Sequence, residues 1–409
     1  MSLLGQLRAI CGAGHARPAT ADDDLLGRAP HWVVWPRTTE ETAEVVKLAV
    51  RHQARTVMRG GRGKLHWGPA PRPIDLVIDT SRMVGVVRHD PDAGVATVAA
   101  GSRLDVLGKG FEPAGQRLPL DPPGPATVGG TVATATAGPL RMRYGDAPHL
   151  MRALTLVCGD GSVRRIEPGQ PLAAAVHGGF GTLGVITEVT FRLHPLPPVR
   201  RWVVRTVASP VEVRDLTVAL LSDDSVLSAI EVHNPYGPGE GRDQIGVLVE
   251  GSADEVAAAV QRLGVLLRGG GLQVRTTPPM WWYDYPFHGD DIALRITTSP
   301  TEIYSAGYIV RDGAGETPVR TRWSPGVATM YAALPGDTDP NRVVRLLEDV
   351  RQTRRGNCVV LHAPPAVRRA IDMWGLVPRT DALRRIKRDC DPYGLFAPGR
   401  HPTDRARLS

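Results

Sequence analysis

The run GGFGTLGVITEV, residues 178–189, sets Gly179, Gly181 and Gly184 at the G-x-G-x-x-G spacing of a dinucleotide-binding turn. A nicotinamide fold needs a strand before those glycines and a helix after them, because the helix N-terminus holds the pyrophosphate. Here the order is inverted. The preceding PLAAAVHG is Ala-rich and reads as a short helix. The following VITEVTFRL puts Val185, Thr187, Val189 and Phe191 on one side of a period-2, β-branched strand. The motif therefore argues against a doubly wound nicotinamide domain. It leaves a glycine turn packed tightly on a neighbour, or a nucleotide fold of another kind.

Two further glycine segments bear on that choice. Arg59-Gly60-Gly61-Arg62-Gly63-Lys64 follows directly on the expected strand ARTVM. Glycines there permit positive φ and close backbone approach, successive N–H groups can form an anion-binding nest, and Arg and Lys add charge. Thr127-Val128-Gly129-Gly130 is almost free of bulky side chains, so a flat ligand can lie against it. One such segment is more often a tight turn than a site. Three, each joined to an expected strand, favour a large phosphate-bearing ligand buried along its length.

Around these segments, residues 1–30 carry little pattern. HWVVWP reads as a strand, and Thr38 with Glu41 offers a capping box for a helix to about His52, with Val46, Ala49 and Val50 on its apolar face. GVVRHDPDAGVATVAAGS and LTLVCGDGSVRRI read as hairpins, and LDVLGKGFEPAG as a helix closed by Gly115. Pro195, Pro197 and Pro198 punctuate the chain. Beyond them, strands (RWVVRTVAS, QIGVLVEGS, SAGYIVRDG) alternate with helices (ADEVAAAVQRLGVLLRGG, DPNRVVRLLEDVRQT), which predicts an α+β domain with a mainly antiparallel sheet.

Composition narrows the function classes. With 409 residues and 42% hydrophobic content there is apolar material for two domains. No apolar run is long enough for a bilayer, and the start MSLLGQLRAICGAGHARP lacks a basic n-region, so the expected location is cytoplasmic. Cys11, Cys158, Cys358 and Cys390 are scattered without a C-x-x-C, which supports neither an iron–sulfur cluster nor a zinc site and reads as reduced, buried thiols. The net charge of +7 is spread over dispersed arginines with no nucleic-acid motif, a pattern that favours acidic substrates or cofactors.

The stretches VVWPRTTEETAEVVKLA, RGGRGKLHWG, DPPGPATVGGTVATATAGPLRMRYG, GTLGVITEVTFRLHPLP and LRRIKRDCDPYGLFAPGR run from about residue 31 to residue 400. Together they resemble the flavoproteins of the vanillyl-alcohol oxidase and p-cresol methylhydroxylase superfamily, and most closely the FAD-binding, E-type subunits of bacterial glycolate oxidase. The resemblance implies an α+β fold. Residues 31–198 would be a two-subdomain PCMH-type FAD-binding domain and 199–375 an α+β cap. Residues 376–409 would return to the FAD domain, and 1–30 would be an N-terminal segment. By this likeness Arg59, Gly60, Gly61, Arg62, Gly63 and Lys64 wrap the pyrophosphate. Thr127, Val128, Gly129, Gly130, Thr134 and Gly138 lie along the flavin and ribityl chain. Gly181, Thr182, Gly184, Val185 and Ile186 meet the adenine and ribose, and Arg400 approaches the flavin ring.

The chain departs from the family pattern in four places. Gly63 stands where covalent members carry His, so noncovalent FAD is expected, with His66 the nearby alternative for attachment. Ala397 replaces a usual Asn. The stretch between Gly161 and Gly181 is short and lacks a KNVAGYD-like run that lines the flavin in relatives. Met330-Tyr331 stands where relatives carry Arg-Trp.

The resemblance implies an FAD-dependent oxidoreductase of CH–OH donors, a subunit of a complex that turns a 2-hydroxy acid into a 2-oxo acid. A larger flavoprotein and an iron–sulfur subunit would be partners, with any membrane association made through them. A stand-alone alcohol or sugar oxidase and a non-catalytic scaffold are the alternatives. Such chemistry needs a base and a cation for the substrate carboxylate. WWYDYPFHGDDIALRITTS offers His288 as base and Arg295 as carboxylate fork, with Tyr144 and His362 as further candidates. The competing expectation makes Trp281, Trp282, Tyr285 and Phe287 core, His288 a surface-loop residue and Arg295 a partner of Asp291.

Overall fold

The computed structural model describes residues 2–223, 226–235, 242–352 and 356–404. The chain divides into two compact units. The first comprises Met1–Ala137, Gly145–Leu196 and Val377–Ser409, and the second Gly138–Tyr144 and Pro197–Leu376. Residues 1–30 thus group with the first unit, and the short piece around Arg141 with the second.

The first unit holds two principal sheets. In one, Trp32–Val34, Leu76–Asp79 and Thr56–Arg59 run parallel, with Ala16–Pro18 antiparallel at the edge. Val33, Val34, Leu76 and Ile78 are fully buried, as strands covered on both faces require. The helix Thr39–Arg51 connects two of these strands. The Thr38 hydroxyl accepts from the Glu41 N–H at 3.1 Å, but the Glu41 carboxylate reaches back to the Arg37 N–H at 2.6 Å, one residue beyond the capping-box position. Its buried face is wider than expected, adding Val45 and Leu48, and its Thr39 hydroxyl bonds that of Thr187 in the second sheet at 2.9 Å.

That second sheet is antiparallel, in the order Val86–Asp90, Val95–Ala99, Val185–Arg192, Met151–Val157, Val163–Ile166. Both expected hairpins are present. The strand after the opening glycines is the central one, which is why Val185, Thr187, Val189 and also Ile186 and Thr190 are buried. The first thirty residues are more ordered than their sequence predicts. Leu3–Cys11 is a helix capped by Ser2, and it buries Leu3, Leu7 and Cys11 at four-residue spacing. At the other end, helix Thr380–Cys390 leads to a segment that joins the parallel sheet. The Thr56 N–H donates to Leu395 O and the Ala397 N–H to Thr56 O, each at 2.8 Å. Phe396 lies in the same core as Leu76, Ile78, Val157 and Val185.

The second unit is built on one eight-stranded antiparallel sheet. Its order is Gln273–Arg275, Val199–Thr206, Gln244–Gly251, Leu227–Asn234, Arg320–Ser324, Thr329–Leu334, Ile292–Thr297, Asn357–His362. Alternate residues Ile292, Leu294 and Ile296, with Met330, Ala332 and Leu334, pack against the helices Ile303–Ala314 and Pro340–Gln352. One expectation is overturned here: SAGYIVRDG lies in a helix and not a strand. Ile303, Ala306, Val310 and Ala314 recur at three- and four-residue spacing and are buried on one side, so helical periodicity prevails over the β-branched pair Ile309 and Val310. Among the described residues no helix is long and apolar enough to cross a membrane.

Candidate functional site

The first unit brings its three glycine segments around one cleft. Residues 59–65 form one wall, 125–127, 129–131, 133 and 134 with Ala100 and Thr80 a second, and Phe180, Gly181 and 184–186 a third. The strand Thr56–Arg59 ends at the cleft, where the Arg59 carbonyl accepts the Thr80 N–H at 2.8 Å. Beyond it the chain turns sharply. Arg62 adopts φ 63°, a left-handed conformation rare outside glycine, and the Gly63 N–H folds back to Gly61 O at 2.8 Å. The N–H groups of Gly60, Gly61 and Arg62 donate to no acceptor among the described residues. Consecutive N–H groups in such a turn make a concave anion site.

The glycines are fixed by close packing as well as by the cleft. A Cβ on Gly60 would sit 2.7 Å from Thr127 Oγ1, and one on Gly129 3.0 Å from the Ala100 Cβ. The short helix Val128–Thr134 supplies a smooth wall but no anion site. Its first N–H groups are taken by Ser102 O (3.0 Å), Ala100 O (2.8 Å) and Thr127 Oγ1 (3.2 Å). A nest of free N–H groups beside Arg62 and Lys64, continued by apolar walls of Ala100, Ala126, Ala133, Val185 and Ile186, suits a ligand with phosphates and flat rings. FAD is such a ligand.

Several expected cofactor residues take other places. The Arg59 guanidinium donates to Asp79 and Asp23, each at 2.7 Å, and so is committed to these two carboxylates. Val128 is buried in the core, and the Thr182 hydroxyl donates to Gly179 O; neither lines the cleft. Gly138 groups with the second unit. Arg400 does line the cleft, but its guanidinium is used to donate to the carbonyls of Leu65 and Trp67, which pins the end of the first wall. Lys64 Nζ donates to Pro123 O at 3.3 Å, and burial pushes its ammonium down to about 8. Sequence reasoning missed Thr80, Ala100 and Phe180, whose types carry no cofactor signal. Phe180 holds φ 52° between two glycines and places its ring 5.9 Å from the Arg400 guanidinium.

In the second unit, Arg295 lies opposite Tyr331 in adjacent strands and hydrogen-bonds its phenol. Tyr285 meets Tyr331 edge-on at 5.1 Å and stacks on Phe287 at 4.8 Å. Burial raises both phenol pKa values. Asp291, the expected alternative partner of Arg295, is instead paired with Arg320 at 2.5 Å. His288 is exposed on the turn before the strand, its N–H donating to Asp291 at 2.6 Å. Trp282 is core, while Trp281 packs between His233 (5.2 Å) and Arg322 (4.6 Å), and burial followed by the Arg322 charge lowers His233 to about 3. The Tyr144 hydroxyl donates to Glu250 at 3.4 Å, and His362 ends an edge strand, its Nδ1 3.5 Å from Arg368.

A family described as an FAD binding domain matches residues 30–167. The chain is 32% identical over 182 residues to a D-lactate dehydrogenase of Anaerostipes hadrus, covering 42% of this chain and 38% of that protein. It is 31% identical over 171 residues to the mitochondrial D-2-hydroxyglutarate dehydrogenase of Bos taurus, covering 40% and 31%. It is 31% identical over 165 residues to the glycolate oxidase subunit GlcE of Escherichia coli (strain K12), covering 38% and 46%. Each match spans less than half of the relative's own length. A solved structure of an alkyldihydroxyacetonephosphate synthase superposes with a TM-score of 0.71 at 17% identity, covering 97% of this chain and 85% of that one. That likeness extends the shared fold over both units. Over residues 30–167, then, this chain matches an FAD binding domain family, and it shares its fold with that synthase.

Proposed function

We propose that the chain is an FAD-dependent oxidoreductase that converts a 2-hydroxy acid to the 2-oxo acid, working as a glycolate-oxidase-type subunit beside a larger flavoprotein and an iron–sulfur subunit. The observation that carries the reading is the cleft, with its free N–H nest beside Arg62 and Lys64. The choice of substrate class is supported by relatives named for lactate, hydroxyglutarate and glycolate, all 2-hydroxy acids. Bound FAD supplies the hydride acceptor. The chain's own residues divide the remaining work. The N–H groups of Gly60, Gly61 and Arg62 hold the diphosphate, with Lys64 adding charge. Arg295 takes the substrate carboxylate in its planar fork. Tyr285 and Tyr331, protonated at neutral pH, serve as hydrogen-bond donors. His288 accepts the hydroxyl proton. FAD is held without a covalent bond: Gly63 offers no attachment atom, and a Cβ there would lie 3.1 Å from Pro125 O. Electrons leave through a partner, since the four cysteines are scattered.

The test is purification of the chain alone, a flavin spectrum, and anaerobic titration with glycolate, D-lactate, D-2-hydroxyglutarate and neutral alcohols. Bleaching by a hydroxy acid is expected. Bleaching by neutral alcohols or sugars alone would favour a stand-alone alcohol oxidase. No bleaching by any donor, even with candidate partner subunits added, would favour a scaffold. Acid precipitation should leave FAD in the supernatant; flavin in the pellet would direct attention to His66.

A further inference from the structure

One face of the eight-stranded sheet packs on helices, and the other carries polar side chains. On that second face Arg295 stands opposite Tyr331 and Thr297 opposite Thr329. From the other flank of Thr329–Leu334, Arg322 stands opposite Tyr331 and Ser324 opposite Thr329. Glu231, one strand further, accepts from Ser324 Oγ at 2.6 Å. Thr329 and Tyr331, two residues apart on one strand, lie on the same face about 7 Å from each other.

The segment Gly138–Tyr144, part of the same unit, is pinned to this face by successive side chains. Arg141 Nη1 donates to Thr329 Oγ1 at 3.2 Å. A Cβ on Gly326 would lie 2.6 Å from Met142 Sδ, so the turn before Thr329 fits closely around that side chain. Arg143 Nη1 donates to Ser228 Oγ (3.0 Å) and Glu250 O (3.1 Å). Arg141 is therefore held in place by its neighbours on both flanks. Arg141 and Arg295 are only partly buried, while Thr329 and Tyr331 are buried. Burial raises the Tyr331 phenol, and the charges of Arg295 and Arg141 both oppose that shift, as two cations near one phenol must. Arg322 is a poorer candidate for a ligand: it is buried and committed to Trp281 O and to His233.

We propose that Arg141 is a second substrate-binding residue, and that the substrate is a 2-hydroxy acid carrying a second carboxylate a few carbons from the first. Arg295 forks the carboxylate beside the hydroxyl, and Arg141 takes the distal one. One guanidinium fork saturates the two oxygens of one carboxylate. Two forks anchored at Thr329 and at Tyr331 therefore suit two carboxylates, and a ligand with one leaves the second fork unused. This selectivity rests on the hydroxy-acid oxidation proposed for the chain.

The experiment is calorimetric titration of the flavin-loaded full chain with glutarate and with valerate, a pair matched except for the second carboxylate, at fixed ionic strength. Wild type should bind glutarate about tenfold more tightly, the equivalent of one charged hydrogen bond. Arg141→Met should lose most of that preference, Arg141→Lys part of it, and Arg295→Met should weaken both ligands. Equal wild-type affinity for the two, or equal losses for both in Arg141→Met, would overturn the site. Anaerobic bleaching separates the site from the reaction. Faster bleaching by 2-hydroxyglutarate than by 2-hydroxyvalerate, with the advantage lost in Arg141→Met, supports the site. Equal bleaching by both overturns the second carboxylate and leaves hydroxy-acid oxidation standing. A glutarate preference lost in Arg141→Met, with no hydroxy acid bleaching the flavin, supports the site and overturns the reaction. If Arg141→Met fails to fold, the wild-type preference and Arg141→Lys decide.

Discussion

Arg59 and Asp23 form an ion pair sealed from solvent, with Nη1 2.7 Å from Oδ1. It links the first thirty residues to the strand that ends at the cofactor nest. Asp23 also accepts from Arg17 at 2.7 Å, and Asp79 takes the Arg59 Nε, so one guanidinium is held between two carboxylates. Arg59 therefore anchors the end of the strand that leads into the glycine loop.

Replacing one partner exposes that role. Asp23→Asn leaves a buried guanidinium under-compensated, and removing one partner of a buried pair costs about 3–5 kcal/mol. Burial alone would raise the Asp23 carboxyl, but hydrogen bonds from Arg17 and Arg59 hold it well below the usual carboxylate range. Its stabilisation is thus fully present above that range and is lost as pH falls through it toward the lower folded value. Thermal melts from pH 7 down to pH 3 should show wild type losing stability in acid more steeply than the variant, and flavin retention should drop in the variant at pH 7. Equal acid slopes would count against the pair.

Lys64 is expected to couple cofactor binding to pH. With its ammonium lowered to about 8 by burial, the empty cleft is partly uncharged in mild alkali. A bound diphosphate favours the protonated form, so FAD binding takes up a proton, and affinity should fall with rising pH above 8, approaching about tenfold per unit. The apoprotein moves the other way. Between pH 8 and the ordinary lysine value the unfolded chain binds more protons, so stability rises with pH. Fluorescence titrations from pH 7 to 9.5 check the first trend and melts the second. Lys64→Met should flatten both.

The glycines of the two remaining walls are predicted to be intolerant of branching. A Cβ on Gly130 would lie 2.9 Å from Thr127 Oγ1, the oxygen that caps its own N–H, and Gly181 holds φ 70°. Gly130→Val and Gly181→Val should purify without flavin and melt at lower temperature, through strain and lost ligand linkage. Gly108 is the control: a Cβ there meets nothing within 4 Å, so Gly108→Ala should keep full flavin and gain up to about 1 kcal/mol of helix stability. Full flavin in both valine variants would mean the walls are misassigned.

Arg295→Lys separates carboxylate binding from general attraction. Lysine keeps the charge but loses the planar fork, so reduction by hydroxy acids should slow by about ten- to a hundredfold, the kinetic equivalent of one charged hydrogen bond. The flavin spectrum should not move, since Arg295 lies outside the cleft-lining residues. Stopped-flow reduction with matched acids and neutral alcohols reads the difference. Equal losses for both would make Arg295 structural, held in place only for Tyr331.

What could be read from sequence followed the range of the interactions. The hairpins, the capped helix Thr39–Arg51 and the three glycine segments depend on spacings within a few residues, and they stand where expected. The bond from Arg59 to Asp23, 36 residues away in a stretch without pattern, follows from no local rule. Arg400 is a similar case, committed to carbonyls more than three hundred residues earlier. The helix Ile303–Ala314 looked like a strand because Tyr308, Ile309 and Val310 dominate its middle, and only its burial shows the helical period. Phe180 in a left-handed conformation has no signature at all.

The pairing of Thr56 with Leu395 and Ala397 also bears on how the protein is made. The strand leading to the nest is translated more than three hundred residues before its edge partner. At typical synthesis rates that is a wait of roughly 20–70 s, during which the second unit can emerge complete and fold first. A nascent chain halted before Leu395 would expose an unfinished sheet edge and could not seat Phe396 beside Ile78. Flavin loading is therefore expected only once the segment around Leu395 has emerged, and a chaperone that shields the Thr56–Arg59 edge would find its client in this interval.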